Sequence, residues 1–381
     1  MKRKWSLTLI VNIVVCALSA QAQGPLFIAA PGSPVAVGEG SGHMVLADVN
    51  RDGKIDLITQ HLQQRVVAVQ LGDGTGRFMP APGSPIALSY SPGDVKQGDV
   101  NGDGIPDLGV TSSKRDTVDI FLVNGSGKFS LAPGSPFLAS ASVEFNTHGL
   151  QFVDINEDGK LDIITTSNRR NSFSTLLGDG RGGFSAGPVV TFPASKGRYS
   201  FAFGDLDGDR HLDVVVTNSG DGDIPEPGQV IMLRGDGKGA FKKLSEAIAL
   251  PGPHWVTFGD MNGDGRPDLV LSHSSDQLST LLNQGGGKFA PGPTYDLGME
   301  AFAVAVADVN GDKQNDLVAA TVDSVTVLPN SKGGFAPAPG SPFRAGPGAY
   351  HLAIGDVNRD GKPDVAASSF EGKTVTLLLG R

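Results

Sequence analysis

The residues of this chain with the clearest chemistry are seven copies of one acidic nonapeptide. They read DVNRDGKID from Asp48, DVNGDGIPD from Asp99, DINEDGKLD from Asp154, DLDGDRHLD from Asp205, DMNGDGRPD from Asp260, DVNGDKQND from Asp308 and DVNRDGKPD from Asp356. Positions 1, 3, 5 and 9 carry an oxygen side chain in every copy. These are Asp48, Asn50, Asp52 and Asp56; Asp99, Asn101, Asp103 and Asp107; Asp154, Asn156, Asp158 and Asp162; and Asp205, Asp207, Asp209 and Asp213. The last three sets are Asp260, Asn262, Asp264 and Asp268; Asp308, Asn310, Asp312 and Asp316; and Asp356, Asn358, Asp360 and Asp364. Three or four carboxylates within nine residues repel one another unless a cation neutralises them. Hard oxygen donors in this number suit Ca²⁺ and not Zn²⁺, which prefers His and Cys. The carbonyl of Lys54, and its equivalents, offers a further donor.

An EF-hand opens with the same D-x-[DN]-x-[DN]-G but needs a Glu at position 12, between two helices. Position 12 here is Thr59, Val110, Thr165, Val216, Leu271, Ala319 or Ala367, which excludes that motif. Two copies depart at position 6, where Arg210 and Lys313 replace Gly. A positive φ is expected there and costs a non-glycine residue roughly 1 kcal/mol, so these two loops should be the weakest.

A second set of residues recurs in phase with the first. Five and six residues before each first Asp stand Gly42/His43, Gly93/Asp94, His148/Gly149, Tyr199/Ser200, His254/Trp255, Phe302/Ala303 and Tyr350/His351. Four of the seven histidines and one of the two tryptophans fall in this set. Phe27, Phe78, Phe129, Phe184, Phe241, Phe289 and Phe335 form a third, each 19 to 25 residues before an acidic loop.

The elements that must position these residues follow from the period. The first-Asp spacings are 51, 55, 51, 55, 48 and 48 residues. Within each unit, short apolar or alternating runs are separated by Gly-rich turns. In the first unit, His43–Ala47, Leu57–Thr59, Val66–Leu71 and a segment opening at Phe78 read as four strands. Four strands per unit of about 50 residues is the pattern of a propeller blade, and seven blades lie within the usual range. The fold expected is all-β, a seven-bladed β-propeller over residues 24–381. The last unit ends after three strands. The leftover N-terminal stretch Gly24-Pro25-Leu26-Phe27 would complete it and close the ring, removing open edges. An open solenoid is the alternative.

Composition agrees. The chain has 53 Gly and 25 Pro in 381 residues, too many for a helical bundle, and 39% apolar residues, too many for disorder. A net charge of −9 argues against nucleic acid as a partner. Residues 1–22 read as a secretory signal: Lys2, Arg3 and Lys4, an apolar run from Leu7 to Leu18, and Ala20-Gln21-Ala22. That run is shorter than the roughly 20 residues needed to span a membrane. The mature chain is expected to be secreted or periplasmic, without a membrane span and without the single Cys16. Without Lys2, Arg3 and Lys4 its charge would be −12 (28 basic residues against 40 acidic), which seven divalent ions would more than cancel.

At this point the sequence resembles the FG-GAP (VCBS) repeats, the unit of the seven-bladed propeller of integrin α subunits and of many secreted bacterial proteins. Phe203-Gly204-Asp205, Phe258-Gly259-Asp260 and Ile354-Gly355-Asp356, each running into its acidic loop, carry the resemblance. It covers Gly24 to Arg381. It implies that up to seven Ca²⁺ ions bind between the first and second strands of the blades, with the side chains at positions 1, 3, 5 and 9 as ligands and a mainly structural role. It also implies a cell-adhesion or binding role toward an extracellular protein or polysaccharide.

Strand order puts the acidic loops on one face of the ring and His43, Asp94, His148, Tyr199, His254, Trp255, Tyr350 and His351 near the axial mouth of the other. Two readings of that ring stay open: a ligand, metal or catalytic centre, or polar and aromatic residues plugging the channel. The alternative function is a polysaccharide lyase or hydrolase using the His/Asp/Glu residues there, although no matched nucleophile–base pair is evident. The exposed links between second and third strands carry Arg65, Lys114-Arg115, Arg169-Arg170, Asp221, Asp223 and Lys373. Oligomeric state is not legible.

Overall fold

The computed structural model describes residues 24–139, 147–167, 172–191, 199–219, 228–331 and 334–381. The signal-like segment 1–22 lies outside the described residues. So do the Arg169-Arg170 pair and the link containing Asp221 and Asp223.

Seven antiparallel sheets form a ring of blades, and the inner three strands of each follow one another in sequence. Blade 1 runs Ser41–Ala47, Asp56–His61, Val66–Gly72 and Phe78–Pro80, with Ala47 opposite Asp56 across the acidic loop and Gly72 opposite Phe78 at the outer edge. The inner strands of the other blades are Pro92–Gly98, Thr147–Val153, Tyr199–Gly204, Pro253–Gly259, Ala301–Ala307 and Ala349–Gly355. Every second strand begins on the ninth residue of an acidic loop, from Asp56–His61 to Asp364–Ser369.

The core is partitioned in the same sevenfold way, with one apolar cluster at each blade–blade interface. Ile58, Val67 and Val69 of blade 1, for example, meet Val95, Leu108 and Val110 of blade 2. Ile164 and Phe173 of blade 3 meet Val214, Val216 and Ile231 of blade 4. The second strands of blades 1, 2, 4, 5, 6 and 7, such as Asp213–Asn218, are buried throughout, as strands covered on both faces are.

Ring closure occurs as the sequence implies, with a shifted strand. Phe27–Ala29, and not Gly24–Phe27, pairs with Thr374–Gly380, Phe27 opposite Gly380. Gly24 and Pro25 lie outside the ladder. Leu26 adds to it only its carbonyl, which accepts from the Arg381 N–H at 3.0 Å. Phe27 is 1% exposed and meets Phe343 of blade 6 edge-on, with ring centroids 5.6 Å apart.

The outer edge also departs from a simple four-stranded blade. In blades 1, 2, 4 and 7 the fourth strand is broken in two, and both pieces pair with the third strand. They are Phe78–Pro80 and Ile86–Ala87 in blade 1, and Phe129–Leu131 and Phe137–Leu138 in blade 2. In blades 1, 2 and 7 the break is Ala-Pro-Gly-Ser-Pro, at 81–85, 132–136 and 30–34; a fourth copy, 338–342, lies at the outer edge of blade 6. Two prolines cannot donate to the ladder. Instead, the serine hydroxyl oxygen accepts from the third strand: Val69 N to Ser84 Oγ, Ile120 N to Ser135 Oγ, Val327 N to Ser341 Oγ and Leu377 N to Ser33 Oγ, all at 2.8 to 2.9 Å.

Candidate functional site: the acidic loops and the axial mouth

Each acidic loop joins a first strand to a second, and its side chains first satisfy its own backbone. The position-1 carboxylate accepts the N–H of position 6 in all seven loops, at 2.7 to 2.9 Å. The position-3 oxygen accepts the N–H of position 5, and the position-5 carboxylate that of position 7, as in Asn50 with Asp52 and Asp52 with Lys54. Position 6 has φ between +69° and +82°, and Arg210 (+71°) and Lys313 (+69°) adopt it without being glycine.

The ninth residue does something the sequence does not announce. Asp56, Asp107, Asp162, Asp213, Asp268, Asp316 and Asp364 are all fully buried. One oxygen of each accepts the N–H of loop position 2, as in Val49 with Asp56 at 2.9 Å, and the other an N–H near the end of the third strand, as in Gly72 with Asp56 at 2.9 Å, or just past it, as in Asn330 with Asp316. The carboxylate therefore clamps the loop to the sheet. Burial pushes Asp56, Asp107 and Asp213 up to about 6, against the pull of the two N–H donors, with the neighbouring loop carboxylates adding to the rise. Asp162, Asp268, Asp316 and Asp364 shift the same way for the same reasons.

This donor set fits a hard divalent cation: it is all oxygen, preorganised by the loop N–H groups, and richer in carboxylates than in the cations that reach them. In blade 4, Asp205, Asp207 and Asp209 offer oxygens that lie within 4.8 Å of one another. Calcium bound in such a loop would supply charge neutralisation and rigidity, with positions 1, 3, 5 and 9 as the residues to hold it. Blade 4 is also the one described loop in which a strand residue, Arg234, forks onto two of these carboxylates.

On the opposite face the inner strands begin around the channel axis. A cavity of about 490 Å³ opens there, with wall residues from all seven blades, among them His43, Asp94, Leu150, Ser200, Trp255, Phe302 and Tyr350. A second hollow of about 350 Å³ adjoins it and shares His43, Phe302 and Tyr350. Asp94, only 3% exposed, is the polar centre. Its Oδ1 lies 3.1 Å from His43 Nδ1 and 3.7 Å from Lys96 Nζ and accepts the Val95 N–H at 2.8 Å; its Oδ2 accepts the Leu150 N–H at 3.1 Å. One carboxylate thus ties blades 1, 2 and 3.

The structure brings His43, Asp94, His254, Trp255 and Tyr350 to the cavity wall. His351 sits behind that wall, 6% exposed, with its ring 5.0 Å from His43 and edge-on to Trp255 at 5.8 Å. Burial holds its imidazole well below the usual range, and the positive charges of Lys96 and His43 push the same way. Tyr350, 39% exposed, meets His43 edge-on at 5.7 Å and lies beside Phe302 and Phe370. The side chains of His148 and Tyr199 lie outside the described residues. Lys96 was missed, although strand alternation puts residues two apart on one face, so a cation two residues after Asp94 could have been placed beside it. Gln60 and Phe370, which line the second hollow, come from a second strand or the link after it, where no local pattern marks them.

Among the charged links, Arg115 stacks over Tyr90 at 6.0 Å and Lys373 pairs with Glu39. No helix among the described residues is long and apolar enough to cross a membrane.

Comparison with known proteins agrees with this architecture. An FG-GAP-like repeat model matches residues 48–110, 99–165, 154–216, 219–271, 260–319 and 308–367. The T-cell immunomodulatory proteins of Rattus norvegicus and Mus musculus are each 29% identical over 210 residues, covering 48% of this chain and 33% of the relative. The chain therefore spans about a third of the length of these curated relatives. Among solved structures, BBS1N in complex with ARL6DN, soaked with mercury, superposes with a TM-score of 0.62 at 14% identity, covering 94% of this chain and 98% of that one. The lead-soaked form gives 0.61 at 15% identity over the same shares of each chain. At those identities the likeness is one of fold.

Proposed function

The chain belongs to the FG-GAP-like repeat family, and from that premise we propose that it is a secreted, calcium-stabilised propeller acting as a binding or adhesion module for an extracellular protein or polysaccharide. Calcium is the structural part of this reading. Its support is the all-oxygen donor set and the loop carboxylates that crowd each buried ninth Asp. Secretion rests on the Lys2-Arg3-Lys4 stretch and the apolar run after it. The name of the rat and mouse relatives, which concerns T cells, is in keeping with a macromolecular partner.

The observation that carries the binding role is the axial mouth. A recess of about 490 Å³ combines aromatic walls (Trp255, Phe302, Tyr350) with a few converging polar groups (His43, Asp94, Lys96), the composition of a ligand site. Flat aromatic faces take sugar rings or apolar side chains equally well. The test is a panel of glycans and surface proteins run with and without Ca²⁺, using the wild type, Trp255→Ala and Tyr350→Ala. Binding that survives both substitutions unchanged would remove the mouth from the account.

A second reading, a lyase or hydrolase acting on polysaccharide, is favoured by one observation. Asp94 Oδ1 lies 3.1 Å from His43 Nδ1, a carboxylate–imidazole pairing of the kind an acid–base centre uses. His43→Ala should abolish turnover in an enzyme and leave affinity within a few-fold in a binder.

A further inference from the structure

Blade 4 combines two residues found together in no other described loop. Its position 3 is Asp207, where the other six have Asn, and the residue just before the third-strand N–H that caps its ninth carboxylate is Arg234. The equivalent residues elsewhere are Leu71, Leu122, Leu177, Leu282, Pro329 and Leu379. None of these can carry a charge into its loop.

Arg234 does. Its Nε lies 3.0 Å from Asp207 Oδ2 and 2.9 Å from Asp209 Oδ2, and its Nη2 lies 2.7 Å from Asp209 Oδ2. These two oxygens are the ones the loop backbone leaves over. The Oδ1 of Asp207 accepts the Asp209 N–H at 3.1 Å, and the Oδ1 of Asp209 accepts the His211 N–H at 2.8 Å. A metal held by these two carboxylates would have to displace the guanidinium from them. The side chains of Asp207 and Asp209 are 11% and 19% exposed beneath the guanidinium.

The other described loops lack this arrangement. Lys54, Lys160 and Arg266 touch only the position-5 carboxylate of their loops, from within the loop, and those carboxylates stay 27 to 35% exposed. A guanidinium is a planar, permanently charged fork suited to bridging two carboxylates, and here a strand presents it from outside the loop.

We infer that blade 4 is held by its own guanidinium in place of a metal ion, so that the protein binds one ion fewer than it would with leucine at position 234. This rests on the calcium reading of the other loops. Native mass spectrometry of the full chain at saturating Ca²⁺ decides it by counting bound ions. Arg234→Leu, and Arg234→Gln as a polar control, should each bind one ion more than the wild type. Equal counts in all three proteins would overturn the inference. A wild type that binds no ion overturns the calcium reading instead. Thermal unfolding in chelator then judges Arg234 by itself. Its loss should lower the midpoint by about 1–2 °C, the scale of one modest interaction in a chain of this length. An unchanged midpoint rejects the inference.

Discussion

The carboxylate of Asp94, in blade 2, lies 3.1 Å from the imidazole of His43 in blade 1 and accepts a backbone N–H from Leu150 in blade 3. Three wedges of the ring are therefore joined at the axis by one side chain, in a fold whose other interblade contacts are chiefly apolar. Asp94→Ala leaves the buried Leu150 N–H without its acceptor and the partly exposed Lys96 ammonium without this counter-charge. A loss of roughly 3–5 kcal/mol is expected for removing one member of a buried charged network. Urea unfolding of the full chain measures it, and a loss below ~1 kcal/mol would mean that the mouth is held by packing alone.

The ninth-position clamp predicts a different kind of loss. Asp107 accepts Val100 N–H and Val123 N–H with its two oxygens. In Asp107→Asn the amide group has one acceptor atom, and its NH₂ must face one of the two donors. One buried N–H goes unpaired, at a cost of about 1–3 kcal/mol. The denaturant midpoint should drop without a change in slope; equal midpoints would show that the clamp contributes nothing.

Calcium removal tests the loops together. At free Ca²⁺ a hundred times Kd, each occupied site adds about 2.7 kcal/mol. Exhaustive EGTA treatment should therefore lower the melting temperature by an amount on the order of tens of degrees, and restoring millimolar Ca²⁺ should recover it. A melting curve indifferent to chelator would end the structural-calcium reading.

His351 makes part of the stability pH-dependent. Its imidazole is buried neutral, with its pKa held well below the ordinary ~6.5 by burial and by the facing charges of Lys96 and His43. Below that pH the unfolded chain takes up a proton that the folded chain refuses, so stability is present above about 6.5 and lost as pH falls through it. His61 and His273 shift in the same direction through burial. Comparing wild type with His351→Phe at pH above and below that value isolates the contribution, and the substitution should flatten the dependence. Parallel pH profiles would contradict the assignment.

Closure of the ring depends on Phe27. The strand that carries it pairs with the last strand of the chain, Phe27 opposite Gly380 and Ala29 opposite Leu378, and its ring packs edge-on against Phe343. Phe27→Ala should cost roughly 3–5 kcal/mol, as truncation of a buried Phe does. It should also uncouple blade 7 from the rest, seen as a broadened or two-step unfolding transition. A single transition at the wild-type midpoint would show that the ring closes without this side chain.

Most of the architecture was legible because it is local and repeated. The nonapeptides, the phenylalanines in phase with them and the alternating runs between them specify blade number, strand order and the face on which the acidic loops lie. Each of these depends on residues a few positions apart. Reading by strand spacing nevertheless passes over the broken outer strands. Their mark is Ala-Pro-Gly-Ser-Pro at 81–85 and its copies, where two prolines interrupt a ladder that resumes on the far side.

What the tertiary structure decided lies between blades and across strands. Counting back from Asp356 put Tyr350 and His351 together at the mouth. The pleat sends one to the wall and the other behind it, since neighbouring residues on a strand face opposite ways. No spacing rule brings Arg234 onto Asp207 and Asp209, which lie 25 or more residues earlier. Nor does any rule set His43 against Asp94, whose meeting requires two blades to pack at the axis. Sequence periodicity specifies the wedge, because hydrogen-bonded strands and tight turns are short-range. The chemistry at the seams depends on how the wedges pack against one another, which only the closed ring determines.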